Sequence, residues 1–143
     1  AVKNAQKVNK HPNLSFKMLD IEELKKTDQK FDLIFSFEVI EHLDDVDQAL
    51  RNMYVLLKKG GVCICSTPYP YSYVFVDETH INVRHPIDWQ RKFTKAGFKD
   101  VKTKQVGFVP YFYRYSENFH IQLPFGLPTP YINSPVFIYG RKN

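Results

Sequence analysis

The sequence FDLIFSFEVIEHL occupies residues 31–43 and determines which kind of fold the chain can form. Its first seven residues are apolar except for Asp32 and Ser36. A near-continuous apolar run of this length is typical of a strand that is buried on both faces of a parallel sheet. Glu38, Glu41 and His42 follow at once, at the turn where this strand passes into the next helix.

An amphipathic helix is predicted directly after this turn. Its apolar side chains are spaced three and four residues apart, at Val46, Ala49, Leu50, Met53 and Leu57. Asp44 and Asp45 are candidate N-caps, and Lys58 with Gly60-Gly61 predicts the helix end. Residues 62–66 then form a second apolar run. Two strands joined by a helix predict a right-handed crossover in an α/β protein.

Shorter patterns on either side extend this arrangement. Upstream, the sequence predicts a helix over residues 2–8 and a short strand over residues 14–19. Downstream, it predicts a helix that is capped by Asp88 and ends at Gly97, then an edge strand over residues 99–109. A last strand is predicted over residues 135–139, after a segment rich in proline and aromatic residues at 110–134.

Length and composition fit one globular domain or part of one. The chain has 143 residues, 43% of them hydrophobic, and a formal net charge of +5. These values exclude a disordered or fibrous protein, and no run of eighteen apolar residues suggests a membrane span. Cys63 and Cys65 lie two residues apart in an apolar strand, beyond easy disulfide range, which predicts buried thiols in a reducing compartment such as the cytoplasm.

The motifs in order resemble those of the class I S-adenosylmethionine-dependent methyltransferases. The likeness rests on residues 31–43, on the helix end LLKKGG at 56–61, on STP at 66–68 and on KAGF at 95–98. It is strongest to the subgroup with an EVIEH turn, which is similar to ubiquinone-pathway O-methyltransferases. The resemblance covers about residues 14–101 and the last strand, and it implies a Rossmann-like sheet.

One family feature is not found in the sequence. Members wrap the cofactor in a glycine-rich loop after the first strand, whereas Gly60-Gly61 follows a helix. The resemblance therefore implies the C-terminal portion of the sheet, a partial domain over residues 1–143 that lacks strands 1 and 2. The family strand order three-two-one-four-five-seven-six then leaves the strand at 31–37 unpaired at one edge. We expect the chain alone to be inactive, and to self-associate through residues 14–20 or 31–37.

The resemblance also implies which residues contact S-adenosylmethionine. Asp20 matches the acidic position that hydrogen-bonds the adenine amino group in the family, and Ile21 is its neighbour; the alternative for Asp20 is a helix N-cap. Ser36, Phe37 and Glu38 lie at the end of a strand, where ligands bind in doubly wound sheets. For Phe37, a role in the core is an equal alternative.

Metal binding and acid–base chemistry are assigned to a few polar residues. Glu38, Glu41 and His42 are expected on one helical face and could hold Mg or Mn, as in relatives that use this pattern. Many other relatives carry EVIEH without a metal, so a purely structural role stays open. His80 and His85, after the second strand, are candidate general bases, with loop hydrogen bonds as the alternative.

The predicted function is methyl transfer from S-adenosylmethionine to a hydroxyl or amine of a small molecule. The aromatic segments at 69–76 and 108–125 would accept the substrate, Tyr111, Phe112, Tyr113 and Tyr115 stacking on it together with Arg114. One alternative is a metal-assisted RNA 2′-O-methyltransferase, favoured by Arg84, His85 and Trp89. The other is a noncatalytic, methyltransferase-like oligomerisation module. No membrane partner is expected.

Overall fold

The computed structural model describes residues 2–24, 28–109, 121–129 and 131–143. Its strands are β1 (Phe31–Phe37), β2 (Leu57–Pro68), β3 (Lys99–Gln105), β4 (Gly107–Val109), β5 (Ile121–Leu123) and β6 (Pro135–Arg141). Its helices are α1 (Val2–Val8), α2 (Val46–Leu56) and α3 (Pro86–Lys95), with short 3₁₀ turns at Ile40–His42 and Ser72–Val76. None of the helices in these ranges is both long and apolar enough to cross a bilayer.

The main sheet has the strand order β1-β2-β6-β3. The first two strands are parallel, as the crossover predicts, and β6 runs antiparallel to both of its neighbours. This is the order expected for the last four strands of the family sheet, whereas the absence of strands 1 and 2 stays a prediction. The register pairs Phe37 with Ser66, so the carboxyl ends of β1 and β2 lie side by side.

Helix α2 begins as predicted but ends earlier. The Asp45 side chain caps it by accepting a hydrogen bond of 2.9 Å from the Gln48 backbone N–H. The helix ends at Leu56, and the glycine pair predicted to close it lies inside β2. Gly60 has a φ of 78°, and a Cβ on Gly61 would lie 3.1 Å from the Phe31 carbonyl oxygen. The two glycines therefore allow an irregular start of β2 to approach β1 closely.

The predicted cap of α3 is wrong. Asp88 lies in the first turn of the helix, and the N-cap position belongs to His85, directly before Pro86. Proline is favoured at the first helical position because its missing N–H would have no partner there. The strand predicted over residues 99–109 is divided as well: β3 ends at Gln105, Val106 is buried, and β4 pairs with β5 in a separate two-stranded sheet.

Two expectations for the start of the chain are also wrong. Residues 14–19 form no strand, and the Met18 side chain is 92% exposed. Strand β1 has the predicted position but not the predicted burial, since Phe31, Leu33, Phe35 and Phe37 are all more than two-fifths exposed. The two outcomes have different physical reasons. Residues 14–19 pair with no strand among the described residues, whereas the four exposed side chains of β1 alternate along the strand and share one poorly covered face of the sheet.

The hydrophobic core lies on the other side of the sheet. Trp89 and Phe93 of α3 pack with Phe98 and Ile138 against α2, and all four side chains are fully buried. Cys63 and Cys65 are free buried thiols, which confirms the prediction, with their Sγ atoms 3.7 Å apart. Their mutual hydrogen bond and their burial hold the pKa of Cys65 well above its usual range.

Replacing Phe98 by alanine is expected to lower the free energy of unfolding by about 3–5 kcal/mol. Its ring contacts those of Tyr54 and Phe93 at centroid distances of 5.2 and 5.1 Å, so the change leaves a cavity. Phe125→Ala is the matched control, because that ring is 53% exposed, and it should cost only about 1 kcal/mol. Urea denaturation measures both values, and an equal loss for the two variants would contradict the described core.

Candidate active site

A cavity of about 830 Å³ opens at the carboxyl ends of β1 and β2. We call it the carboxyl-edge cavity. Aromatic rings and a few polar groups line its walls. The lining residues used below are Phe37, Glu38, Ser66, Tyr69, His80 and Phe137. The parallel register places these groups together at the carboxyl edge of the sheet. Ligands bind at this edge in doubly wound sheets.

Glu38 occupies the point where β1 ends. Its φ of 51° turns the chain out of the strand, and its backbone N–H donates to the Ser66 carbonyl oxygen at 3.1 Å. Its carboxylate accepts a 2.6 Å hydrogen bond from the Ser66 hydroxyl. Glu38 therefore does not share a helical face with Glu41 and His42 as predicted, because the helical turn begins only at Ile40.

Glu41 is a fully buried carboxylic acid without a hydrogen-bond partner. Its side chain is 0% exposed, and neither oxygen accepts a hydrogen bond from any described residue. Burial raises the pKa of Glu41, and the charge of the nearby Glu38 raises it further. A buried group of this kind is costly unless it is neutral or meets a positive charge.

Two histidines flank this carboxyl group. The rings of His42 and His80 lie 4.9 Å apart. Each Nδ1 contacts a backbone carbonyl oxygen, His42 that of Thr79 at 2.9 Å and His80 that of Val74 at 2.8 Å. Because a carbonyl only accepts, both Nδ1 atoms carry the hydrogen, and in the neutral form of each ring the Nε2 lone pair is available.

Glu41, His42 and His80 therefore form a compact group of potential ligands. One ligand atom from each lies within 4.8 Å of the others. The His42 Nε2 atom is 3.8 Å from a Glu41 oxygen, too far for a direct hydrogen bond. A carboxylate with two oriented imidazoles is a donor set that borderline divalent ions accept.

The loop after β2 carries a row of tyrosines, of which Tyr69 and Tyr73 line the cavity. The rings of Tyr69 and Tyr71 lie 4.6 Å apart, and Tyr71 stacks on Tyr73 at 5.8 Å. Burial raises the pKa of Tyr73, so its hydroxyl stays protonated near neutral pH. The loop thus offers flat, uncharged surfaces with hydroxyl groups at their edges.

A comparison with known protein families shows which family the chain belongs to. The model of a family described as "Methyltransferase domain" matches residues 2–103, which include both parallel strands, the Glu41 turn and α3. The chain belongs to the S-adenosylmethionine-dependent methyltransferases. The observed strand order and the ligand cavity at the carboxyl edge are consistent with this family.

Curated methyltransferases are similar in sequence to this chain over part of their length. A ubiquinone biosynthesis O-methyltransferase of Coxiella burnetii is 38% identical over 55 residues, or 38% of this chain and 24% of that protein. The 2-methyl-6-phytyl-1,4-hydroquinone methyltransferase 1 of Oryza sativa subsp. japonica is 36% identical over 101 residues, or 66% of this chain and 29% of that protein. This methyltransferase chain thus spans less than a third of either relative.

Solved structures share the fold. An S-adenosylmethionine-dependent methyltransferase from Archaeoglobus fulgidus superposes with a TM-score of 0.64 at 18% identity, covering 91% of this chain and 68% of that one. The N-methyltransferase NodS from Bradyrhizobium japonicum gives a TM-score of 0.62 at 16% identity, covering 96% and 65%.

The predicted cofactor residues of this methyltransferase lie in two places. Ser36, Phe37 and Glu38 end β1, and the latter two line the carboxyl-edge cavity. Asp20 accepts a 2.8 Å hydrogen bond from the Glu22 backbone N–H, but the residues after it form a turn and not the helix that its alternative interpretation, an N-cap, requires. Ile21 packs against the core and its carbonyl oxygen accepts from Asn52. Cofactor contact by these residues stays a prediction.

The two candidate bases also differ in position. His80 lines the cavity, whereas His85 is exposed and reaches it only through an edge-to-face contact with Tyr69 at 5.7 Å. Tyr111, Phe112, Tyr113, Arg114 and Tyr115, predicted to stack on a substrate, lie outside the described residues.

Sequence reasoning missed several residues of the site. Ser66 anchors Glu38, Asp77 lines the cavity 3.8 Å from His80 Nε2, and Asn82 contacts the Glu41 turn. A signal existed for Asn82, which directly follows the His80-Ile81 pair, but polar loop residues rarely show in the sequence what they contact.

Proposed function

We propose that the protein containing this chain transfers a methyl group from S-adenosylmethionine to a hydroxyl or amine of a small molecule held in the carboxyl-edge cavity. The observation that supports this proposal is the cavity itself, with aromatic walls and His80 at the strand ends of a methyltransferase sheet. The two curated relatives are named for quinone-type aromatic compounds. Rings such as Phe37, Tyr69 and Phe137 would stack on a planar acceptor.

The residues around the cavity would prepare the acceptor. When bound, S-adenosylmethionine supplies a methyl carbon that is already strongly electrophilic. An acceptor lone pair forms the new bond to that carbon, the carbon–sulfur bond breaks toward sulfur, and a proton leaves the acceptor. Without a metal ion, His80 Nε2 would take this proton, because its Nδ1 hydrogen is held by the Val74 carbonyl. With an ion bound, the same lone pair would be a ligand, and the ion would take over the activation of the acceptor. His85, which lies beside Tyr69 and outside the cavity lining, is the second candidate base.

Cofactor contact is proposed for the same residues that the family resemblance implies. Phe37 and Glu38 offer a ring and a carboxylate on the cavity wall, and Ser36, the residue before them, lies opposite Cys65 of β2. Asp20 and Ile21 would reach the adenine from the loop that is tied to α2 through Asn52. Phe37→Ala, compared with Phe31→Ala at the other end of β1, would test whether the wall ring contributes to cofactor affinity.

A divalent ion fits the cluster beneath the cavity. The buried carboxylate of Glu41 accepts no hydrogen bond from the described residues, and a cation would supply the missing charge. Glu41, His42 and His80 would hold Mg or Mn, with Glu38 as the predicted further ligand from the cavity wall. The ion would lower the pKa of an acceptor hydroxyl. The described lining of the cavity holds Glu38 and Asp77 but no lysine or arginine, which disfavours an RNA backbone as the substrate.

Formation of S-adenosylhomocysteine with hydroxylated and amine-bearing acceptors tests the proposed reaction, in the longest gene product that contains this chain. The expected result is turnover that depends on the acceptor. Binding of S-adenosylmethionine without turnover on any acceptor would favour the noncatalytic alternative.

Self-association of the chain is proposed through the free edge of β1. No described residue pairs with the backbone groups of this edge, which lie beside the exposed rings of Phe31, Phe35 and Phe37. A second copy of the strand would pair with it across a two-fold axis.

Light scattering of the chain at tens of micromolar is expected to show a dimer or larger species. Phe35→Lys should shift it toward the monomer, because the charge would enter the contact. Met18→Lys is the matched control in the other predicted segment and should leave the mass unchanged. A wild-type chain that is monomeric at this concentration would contradict the proposal.

A further inference from the structure

The ligand cluster is assembled from two separate loops. Glu41 and His42 belong to the 3₁₀ turn after β1, whereas His80 lies between the 3₁₀ turn at Ser72–Val76 and α3. Neither loop is part of the sheet, so the strand register alone does not fix the distance between them. Their spacing depends on direct contacts between the loops.

Asn82 provides the most extensive of these contacts. Its backbone N–H donates to the Glu41 carbonyl oxygen at 2.8 Å, and its side-chain Nδ2 donates to the Leu43 carbonyl oxygen at 2.5 Å. One residue thus binds the chain on both sides of His42. Because it lies two positions after His80, the same contacts hold the His80 segment against the turn.

Arg84 fixes the orientation of the Asn82 amide. Its Nη2 donates to the Asn82 Oδ1 atom at 2.6 Å. A guanidinium only donates, so the amide oxygen must face Arg84 and the amide nitrogen must face Leu43. Both ends of the short side chain are therefore used, and the contact is defined in one orientation.

We propose that Asn82 is a positioning residue that keeps His80 within ligand distance of Glu41 and His42. The inference rests on the metal site of the proposed function. Asparagine suits the position because aspartate would turn a carboxylate oxygen toward the Leu43 carbonyl, where no hydrogen is available to join them. Alanine would retain only the backbone contact.

Direct titration of the whole chain with Mn²⁺, followed by the electron paramagnetic resonance of the free ion, tests this role. Asn82→Ala is expected to weaken Mn²⁺ binding by about 10–100-fold, as supporting partners of metal ligands typically do. Asn82→Asp has nearly the same shape and should also weaken it, so the test does not depend on one variant folding.

The matched control is Asn52→Ala. The Asn52 amide also donates to a backbone carbonyl, that of Ile21 at 2.7 Å, but it lies in α2 and does not touch the cluster. Its loss should lower the melting temperature at least as much as Asn82→Ala does. Mn²⁺ affinity should stay within about twofold of wild type, as expected for a distant site.

Glu41→Gln separates the two proposals. One outcome overturns the positioning role and leaves the metal site standing. In that outcome, wild type and both Asn82 variants bind Mn²⁺ equally well, whereas Glu41→Gln does not bind it. If wild type and Glu41→Gln bind alike, or neither binds, the metal site itself fails and the role of Asn82 fails with it. Weakened binding in the Asn82 variants alongside unchanged binding in Asn52→Ala supports the inference.

Discussion

Methyl transfer by the longest gene product that contains this chain is expected to fall 10- to 100-fold or more when Glu41 is replaced by alanine. A chelator should abolish the activity, and Mg or Mn should restore it. The physical reason is that Glu41 offers a fully buried carboxylate that accepts no hydrogen bond in the described part of the chain, next to two imidazoles whose Nδ1 atoms contact backbone carbonyls. The measurement is the rate of S-adenosylhomocysteine formation before and after metal removal.

The matched control for this result is Glu78→Ala. Glu78 is an exposed glutamate in the loop that carries His80, so the change alters the local charge without touching the cluster. Its rate should remain close to that of wild type. Activity that is indifferent to the chelator would leave Glu41, His42 and His80 with a structural role.

The chain of 143 residues by itself is expected to show no turnover and no saturable binding of S-adenosylmethionine. The six glycines of the sequence all lie at or after Gly60, so residues 1–59 cannot form a glycine-rich cofactor loop. In the described part of the chain, nothing pairs with β1 on the side where such a loop would be placed.

Calorimetric titration with S-adenosylmethionine tests this expectation, together with the turnover assay on the chain and on the longest gene product. Binding and turnover in the longer product only are the expected outcome. Equal activity in the chain and in the longest gene product would show that residues 1–143 already form a complete cofactor site.

Local sequence patterns predicted the elements well, and their surroundings poorly. The apolar run at residues 31–37 gave the position and direction of β1, because strand propensity and the crossover rule act locally. Its burial could not be predicted in the same way, since the burial of a sheet face depends on what packs on that face. Residues 14–19 fail for another reason: a strand pattern needs a partner to become a strand.

The residues of the site were also predicted better than the contacts that bring them together. The EVIEH turn pointed to Glu41 and His42, and the family resemblance pointed to the loop of His80. That these three side chains meet depends on backbone carbonyls of Val74 and Thr79, which carry no signal in the sequence. Glu38 was assigned to the same helical face because a regular helix was assumed, whereas a positive φ at this residue turns its carboxylate toward Ser66.

The place of β6 in the sheet has a consequence for how the protein is made. This strand, Pro135–Arg141, pairs with β2 on one side and with β3 on the other, so it joins two strands that do not pair with each other. During synthesis, β2 and β3 leave the ribosome well before the strand that connects them. The nascent polypeptide therefore lacks the strand between β2 and β3 until residue 141 has emerged. Folding of the main sheet is completed only after translation has passed that point.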